Sequence, residues 1–484
     1  MKTLNEILEG INFDLVRGEL SSPINQIQID SRNVQKGDCF IAIKGTASDG
    51  HDFIDKAIEA GARTIICNND HSNENEKLNL IQVQNTRKIL ARVAANFFEN
   101  PSTKLKVWGV TGTNGKTTTS VLLFKLFRQL GYNVGLISTI DIRINDERIP
   151  SNLTTPDAIR LQGLFDQMQR KGCTHVFMEV SSHALDQGRA DEIDFDVAAF
   201  TNISHDHLDY HKDMKDYIRT KKTFFDKLKK EAHAIINLDD RNGKIMIQNC
   251  AANHSTYALK TMADYKGKIM AVSFEGLHLK VNEIEAHYRL VGTFNAYNLL
   301  NVIASCQALG LEMEEFLPAL TGLNSAEGRL ELVQEGNRKA FVDYAHTPDA
   351  LENVLKTLQK VKAKGERLIT VVGAGGDRDK SKRPKMAAIA AKWSDLVILT
   401  SDNPRTEDPA QIIKDMEAGI SSDLSTKVSN IVDRKQAIKT ACMLALENDV
   451  VLVAGKGHEK YQDIKGVKTP FDDKEILQEI LKSF

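Results

Sequence analysis

The sequence is short of several features that would sort it quickly, and each shortage excludes something. Its six cysteines, Cys39, Cys67, Cys173, Cys250, Cys306 and Cys442, are scattered without a C-x-x-C pair. That excludes a disulfide framework and a clustered zinc site, and leaves them as buried or idle thiols. Charge of one sign is also missing, because 63 Lys and Arg face 65 Asp and Glu for a net charge of −2. No global field exists to hold nucleic acid or an anionic membrane, so specific pockets must do the recognition. No stretch approaches the roughly 18 apolar residues of a membrane helix. The opening "MKTLNEILEGINFDL" carries acids where a signal peptide has its apolar run. The expectations are a cytoplasmic location, no membrane insertion, no nucleic-acid partner and a monomer. There is no fixed-period repeat and no low-complexity tract.

A chain of 484 residues is too long for one core and suggests about two to four domains. Three textures follow one another. Residues 1–100 alternate short strand-like runs, "GDCFIAIKG" and "ARTIICNND", with the helix "DFIDKAIEAGA" and the polar "HSNENEKLN". Residues 101–330 alternate helices with "THVFMEV", "VAAFTNIS" and "HAIINLD", the pattern of a mostly parallel sheet. Residues 331–484 repeat that logic with "KAFVDYAH", "RLITVVGAGG", "DLVILTSD" and "DVVLVAGKG", separated by helical stretches at 385–393 and 434–447. The fold class expected is α/β with three domains: a small N-terminal α/β domain, a central phosphate-loop domain and a C-terminal Rossmann-like domain.

The central region opens with "VTGTNGKTTTS", residues 110–120, between an apolar run and an amphipathic segment. The usual phosphate loop has glycine where Val110 stands. What remains, Gly112, Thr113, Asn114, Gly115, Lys116 and Thr117, still places backbone N–H groups at the positive end of a helix, where an anion binds. Lys116 would reach the outer phosphates, and the hydroxyl of Thr117 or Thr118 would meet a magnesium ion. Leu122, Leu123, Leu126, Phe127 and Leu130 share one helical face, and Gly131 ends the helix before the strand "NVGLIST".

Further polar groups follow other strands. Glu179 ends one strand, and "TNISHDHLDYH" after the next carries His205, Asp206, His207, Asp209 and His211. A carboxylate and an imidazole beside a triphosphate suit magnesium better than zinc. The histidine spacing does not share a helical face, which leaves His205 and His211 as capping or surface groups. In the last region four strands each run into a polar loop: "YAHTPDA", "GGDRDKSKRP", "SDNPRTEDP" and "GKGHEKYQ". Parallel strands would bring these loops to one edge, where ligands of open α/β sheets bind. Turn chemistry does not ask for Arg378, Lys380, Lys382, Arg383, Arg405, Lys456, His458 and Glu459 there.

In order along the chain, "GTNGKTTT", "NLTTPDA", "EVSSHALDQGR", "DHLDYH", "GTFNAYNLLN", "EGRLE", "DYAHTPDAL" and "GKGHE" resemble the Mur ligases of peptidoglycan synthesis. Folylpolyglutamate synthases and cyanophycin synthetases share the "GTNGK" loop, so it is the strings together that are specific. The resemblance covers all three regions and implies an ATP-dependent amide ligase acting through an acyl phosphate. The implied substrates are ATP, UDP-MurNAc-L-Ala-D-Glu (UDP-N-acetylmuramoyl-L-alanyl-D-glutamate) and an amino acid, with Mg2+ as cofactor.

By that comparison Asn295 and Asn298 approach the adenine, Arg329 the phosphates, and Asp343 and His346 the nucleotide. Magnesium falls to Thr117, Glu179 and His207, with Lys221 rather than Lys222 at the position these ligases carbamylate. Ser31 of "IDSRNV" matches the contact to uridine diphosphate, while Asn152, Thr154, Thr155, Ser181, Gln187 and Arg189 match positions holding the muramoyl dipeptide and its phosphates.

The added amino acid turns on "SDNPRTEDP". Members that add meso-2,6-diaminopimelate resemble "DNPR" here, and lysine-adding members lack the arginine. Arg405 and Arg378 would offer two fork-shaped donors to the carboxylate that distinguishes diaminopimelate from lysine. Glu459 and the Gly455 carbonyl would accept the distal ammonium, with Asp402 and Asn403 shaping the loop or joining in. A lysine-adding relative, and more distantly a folylpolyglutamate synthase-like ligase, are the alternatives.

Overall fold

The computed structural model describes residues 2–45, 48–68 and 77–483. Most of the polar stretch "HSNENEKLN" lies outside the described residues. Contacts divide the chain into two compact units, residues 1–109 with 131–198 and 227–232, and residues 110–130 with 199–226 and 233–484.

The first unit begins with a five-stranded sheet in the order Asp14–Arg17, Asn79–Gln82, Thr64–Cys67, Cys39–Ile41, Ile27–Gln28, antiparallel at the first pair and parallel elsewhere. Strand side chains alternate between faces. Cys39, Ile41, Ile66 and Ile81 therefore pack on one side with Leu90, Val93 and Ala94 of the helix Thr86–Phe97, while Phe40, Ile65 and Leu80 meet Ile54 and Ala57 on the other. Asn85 starts that helix by accepting the Lys88 N–H at 3.1 Å, a cap of about 1 kcal/mol. The same unit pairs Val134–Ile137 with His175–Glu179 in parallel, and an antiparallel hairpin, Asp141–Ile144 with Glu147–Pro150, extends it.

In the second unit the glycine loop leads into the helix Lys116–Gln129, which stops before Gly131 at φ +90°. His233–Asn237 and Asn253–Ala258 pair in parallel. Beyond them Tyr265–Ser273, Gly276–Val281 and Ile284–Tyr288 form an antiparallel meander that the expected parallel pattern did not include. The buried helix Thr293–Ala308 packs against these strands.

The last sheet runs Glu331–Glu335, Arg338–Asp343, Val450–Ala454, Leu368–Ala374, Leu396–Ser401, Val428–Asn430. Only its first pair is antiparallel. The central strand Leu368–Ala374 is buried along its whole length, as a parallel strand covered on both faces requires. Each fully buried Val, Leu or Ile there contributes about 1.5–3 kcal/mol. Below the carboxyl edge the fully buried Arg434 pairs with Asp473 through two 2.8 Å bonds and donates to the carbonyls of Ser401 and Ala454, tying two strand ends together.

Candidate functional site

The glycine loop has the geometry of an anion cradle. Gly112 and Gly115 sit at φ +149° and +92°, and a Cβ on either would fall 1.9 Å from Thr201 Oγ1 or 2.5 Å from Asn298 Oδ1. Only glycine fits both positions. The loop is fixed from behind, because Asn114 N donates to Asn202 Oδ1 at 3.0 Å and Asn202 Nδ2 donates to Asn114 O at 3.0 Å. Thr113 Oγ1 lies 3.1 Å from the Tyr217 hydroxyl and accepts the Ser204 N–H at 3.0 Å. Lys116 folds over the loop, with Nζ on the carbonyls of Gly112 and Thr113 at 2.8 and 2.9 Å. Its ammonium therefore stands where an incoming phosphate would exchange with those carbonyls.

Thr117 and Thr118 are buried in the first helical turn, and Thr117 Oγ1 accepts from Arg329 Nη2 at 3.1 Å. Arg329 lies over the Tyr344 ring at 4.4 Å. Beside it Asp343 accepts the Leu330 N–H at 2.6 Å, and burial raises its carboxyl to about 6 against the opposing Arg329 charge. His346 Nδ1 lies 2.9 Å from the Tyr344 carbonyl. Asn298 Nδ2 donates to Asn295 Oδ1 at 2.8 Å, and both asparagines are buried. The nucleotide-binding residues expected from the sequence thus converge within the second unit.

Lys221 belongs to the helix Met214–Asp226 and is buried. Its Nζ donates to Gly112 O at 3.0 Å and Thr111 Oγ1 at 3.3 Å. Burial, and then the Lys116 charge, hold its ammonium well below the ordinary lysine value, against the pull of Asp206. Lys222 instead pairs with Asp226 on the same helix. His207, at φ +55°, lies 3.4 Å from Asp206. Burial opposes ionisation of Asp206, but His207, His346 and Lys382 outweigh it and keep the carboxyl well below its usual range. Lys382 Nζ reaches Asp206 at 2.9 Å, and Asn114 Nδ2 reaches Asp349 at 2.9 Å. The phosphate-loop region and the C-terminal region therefore meet at the site. His205 is exposed as expected, whereas His211 is buried against Tyr217.

A second group of candidates lies in the first unit. Glu179 is buried, its Oε1 accepting the Thr139 N–H at 2.8 Å and its Oε2 the Thr139 hydroxyl at 3.2 Å. Thr154 Oγ1 is 3.0 Å from Thr139 Oγ1, and Thr155 Oγ1 donates to the Glu179 carbonyl at 2.8 Å. Ser181 N donates to Thr155 Oγ1, and Arg189 reaches both the Thr155 carbonyl and Gln187 Oε1. Asn152 is exposed, and Ser31 is half-buried on a short 3-10 turn whose neighbour Asp30 is paired with Arg32. Thr139, Asn202 and Tyr217 were not singled out in the sequence. Thr139 and Asn202 do carry a signal, since each is a polar residue two places beyond the end of an apolar strand.

At the carboxyl edge of the last sheet the four loops do converge. Asn403 Nδ2 donates to Glu459 Oε2 at 2.7 Å, and Lys456 Nζ donates to Asn403 Oδ1 at 3.0 Å. Gly455, at φ +117°, leaves room for Asp402, whose Oδ2 lies 2.4 Å from where a Cβ would stand. Arg405, itself at φ +52°, donates from Nη1 to the Gly376 carbonyl at 2.7 Å. Arg378 is exposed in a cavity it lines with Asp209, Asp379, Lys380 and Glu407. Gly375 separates the two arginines, with Arg405 Nη1 3.0 Å and Arg378 Cγ 3.7 Å from its would-be Cβ. Arg383 does not face the edge as the other cations of its own loop do. It is buried and held by Glu407 and Asp415, so it braces the loop instead of facing a ligand.

Among the described residues no cluster of three or more His, Cys, Asp or Glu side chains forms a ready metal site, and no helix is long and apolar enough to cross a membrane. Donors of the kind a hard cation takes occur in each unit by itself, the Thr117 hydroxyl in the second and the Glu179 carboxylate in the first.

Comparisons with known proteins match the chain along most of its length. Residues 23–98 match the Mur ligase family, catalytic domain, residues 110–306 the Mur ligase middle domain, and residues 328–457 the Mur ligase, glutamate ligase domain. The UDP-N-acetylmuramoyl-L-alanyl-D-glutamate--2,6-diaminopimelate ligase of Phocaeicola vulgatus is 49% identical, covering 99% of each chain. The protein of the same name from Clostridioides difficile is 45% identical, again over 99% of each. A solved structure of a ligase of that name superposes with a TM-score of 0.72 at 33% identity, over 100% of this chain and 99% of the other. MurF from Acinetobacter baumannii, at 16% identity and a TM-score of 0.68 over 99% of this chain and 98% of that one, shares the fold.

Proposed function

The chain belongs to the Mur ligase family, and from that premise we propose that it joins meso-2,6-diaminopimelate to UDP-MurNAc-L-Ala-D-Glu with ATP, in the cytoplasm. In the reaction the γ-phosphoryl group passes from ATP to the terminal carboxylate of the glutamate, releasing ADP and leaving an acyl phosphate. The amine of diaminopimelate attacks that carbonyl, phosphate departs, and the amine loses a proton as the amide forms. Phosphoryl transfer of this kind depends on positioning and charge neutralisation.

The loop 112–115 and Lys116 would receive the phosphates, Asn295 and Asn298 the adenine side, and Arg329, Asp343 and His346 the rest of the nucleotide. Thr117, His207 and a carbamylated Lys221 would hold Mg2+, which when bound neutralises phosphate charge; Glu179 is the further metal ligand that the family resemblance implies. Ser31 would meet the uridine diphosphate. Asn152, Thr154, Thr155, Ser181, Gln187 and Arg189 would orient the dipeptide and its phosphates.

The observation that carries the choice of amino acid is the carboxyl-edge cluster in which Arg405, Asn403, Asp402, Gly455 and Glu459 come together. It offers a guanidinium for a carboxylate and a carboxylate for an ammonium, the two ends of a distal amino-acid group. L-Lysine supplies only the ammonium and would leave the guanidinium unanswered. Phosphate release with ATP and UDP-MurNAc-L-Ala-D-Glu tests the reading. Release that depends on meso-diaminopimelate supports it; equal release with L-lysine would favour the lysine-adding alternative, and none with either would refute both.

A further inference from the structure

Lys456 is fully buried behind the carboxyl-edge cluster, and the proposed chemistry leaves it without a role. A lysine seldom lies wholly inside a protein unless its charge is answered. Here Nζ donates to Asn403 Oδ1 at 3.0 Å and to Glu459 Oε2 at 3.3 Å, and it stands 5.5 Å from the centre of the Tyr461 ring. Asn403 Oδ1 also accepts the Asp463 N–H at 2.9 Å. With two donors on its oxygen the amide has one orientation, and its Nδ2 points at Glu459 Oε2 at 2.7 Å. One oxygen of Glu459 is thereby held by Lys456 and Asn403 together, and the other is left as the acceptor for an incoming ammonium.

We propose that Lys456 is the positioning and specificity-determining residue of the acceptor pocket, locking Asn403 and Glu459 in place and cancelling the Glu459 charge. This rests on the reading of Glu459 as the acceptor of the distal ammonium. The cancellation matters for selectivity. A carboxylate already paired with a buried cation offers a directed hydrogen bond but little net attraction for a bare alkylammonium. A distal group carrying both ammonium and carboxylate is answered at Glu459 and Arg405 together. L-Lysine meets a pocket whose anion is already spoken for and whose guanidinium gains no partner. Without Lys456 the pocket gains a net negative charge, which favours the simple cation.

The test is a double-mutant cycle on the full-length enzyme: wild type, Lys456→Met, Glu459→Gln and both together. The readouts are KM for meso-diaminopimelate, KM for ATP, kcat, and turnover of L-lysine. Loss of one charge-assisted hydrogen bond is expected to raise the diaminopimelate KM about tenfold in each single variant, with the ATP KM held within about twofold as a check on the fold. The double variant should be no worse than Glu459→Gln alone, and Lys456→Met should raise turnover of L-lysine relative to diaminopimelate. Lys456→Arg, which keeps a cation, should recover part of the loss. If the methionine variant does not fold, Lys456→Gln carries the same cycle. An unchanged diaminopimelate KM in the Lys456 variant, or multiplying effects in the double variant, would overturn the proposal. A Glu459→Gln enzyme with an unchanged diaminopimelate KM would instead overturn the reading of Glu459 on which it rests.

Discussion

Replacing Lys221 by alanine removes a buried amine whose surroundings favour its neutral form. The ammonium is desolvated and stands near Lys116, so its pKa lies well below the ordinary lysine value. A neutral amine is the form that adds carbon dioxide, and the carbamate it gives is a carboxylate. Because Nζ lies 3.0 Å from the Gly112 carbonyl, the modification would put an anion at the edge of the phosphate loop in place of a cation. Two unit charges 4 Å apart interact by about 4 kcal/mol at an effective dielectric near 20, so the sign of the group decides whether a divalent ion is attracted or repelled. Losing even two-thirds of that stabilisation in the transition state lowers kcat about a hundredfold. Lys221→Ala should therefore show a kcat down by about that factor, with little change in the diaminopimelate KM. Wild-type enzyme depleted of carbon dioxide should lose activity and regain it with bicarbonate, while intact-protein mass shows the gain of one carbon dioxide. The alanine variant should not respond to bicarbonate. An alanine variant as active as wild type, or a depleted wild type that keeps full activity, would refute the reasoning.

Two further outcomes follow from the same geometry. Gly115→Ala puts a side chain at φ +92° and 2.5 Å from Asn298 Oδ1; backbone strain of roughly 1–2 kcal/mol plus the collision should raise the ATP KM at least about tenfold and leave the diaminopimelate KM alone, as steady-state titration of each substrate would show. Asp343 has a folded-state carboxyl raised by burial to about 6, so its contribution to stability is present below its unfolded pKa near 4 and is lost as pH rises through about 6. The full difference corresponds to roughly 3 kcal/mol. Thermal melts of wild type and Asp343→Asn should therefore show the variant gaining relative stability between about pH 4 and pH 7, and a difference that does not vary with pH would contradict this.

Much of the site was legible because it is local in sequence. The strand, loop and helix around Gly112 and Gly115 lie within one short stretch, and the loops behind the four parallel strands were bound to share an edge once the strands were parallel. What could not be read depended on partners far away along the chain. Arg383 sits among the cationic loop residues, yet Glu407 and Asp415 claim it. Lys382 meets Asp206 from 176 residues further along the chain, and Lys456 is buried despite standing in a glycine-rich loop. The meander Tyr265–Tyr288 was missed although its middle strand shows the alternation, with Leu277, Leu279 and Val281 buried between His278 and Lys280; the strands on either side are more exposed and give it no second run to pair with.

The claim that the carboxyl-edge cluster grips the distal amino-acid group of diaminopimelate is tested most directly by Arg405→Ala. The measurement is kcat/KM for meso-diaminopimelate and for L-lysine, side by side, in wild type and variant. A site built to hold a polar group rejects an analogue lacking it by roughly 10⁴-fold, so the wild type should strongly prefer diaminopimelate, and the variant should lose at least about a hundredfold of that preference through diaminopimelate alone. An unchanged preference, or an equal fall for both amino acids, would contradict it.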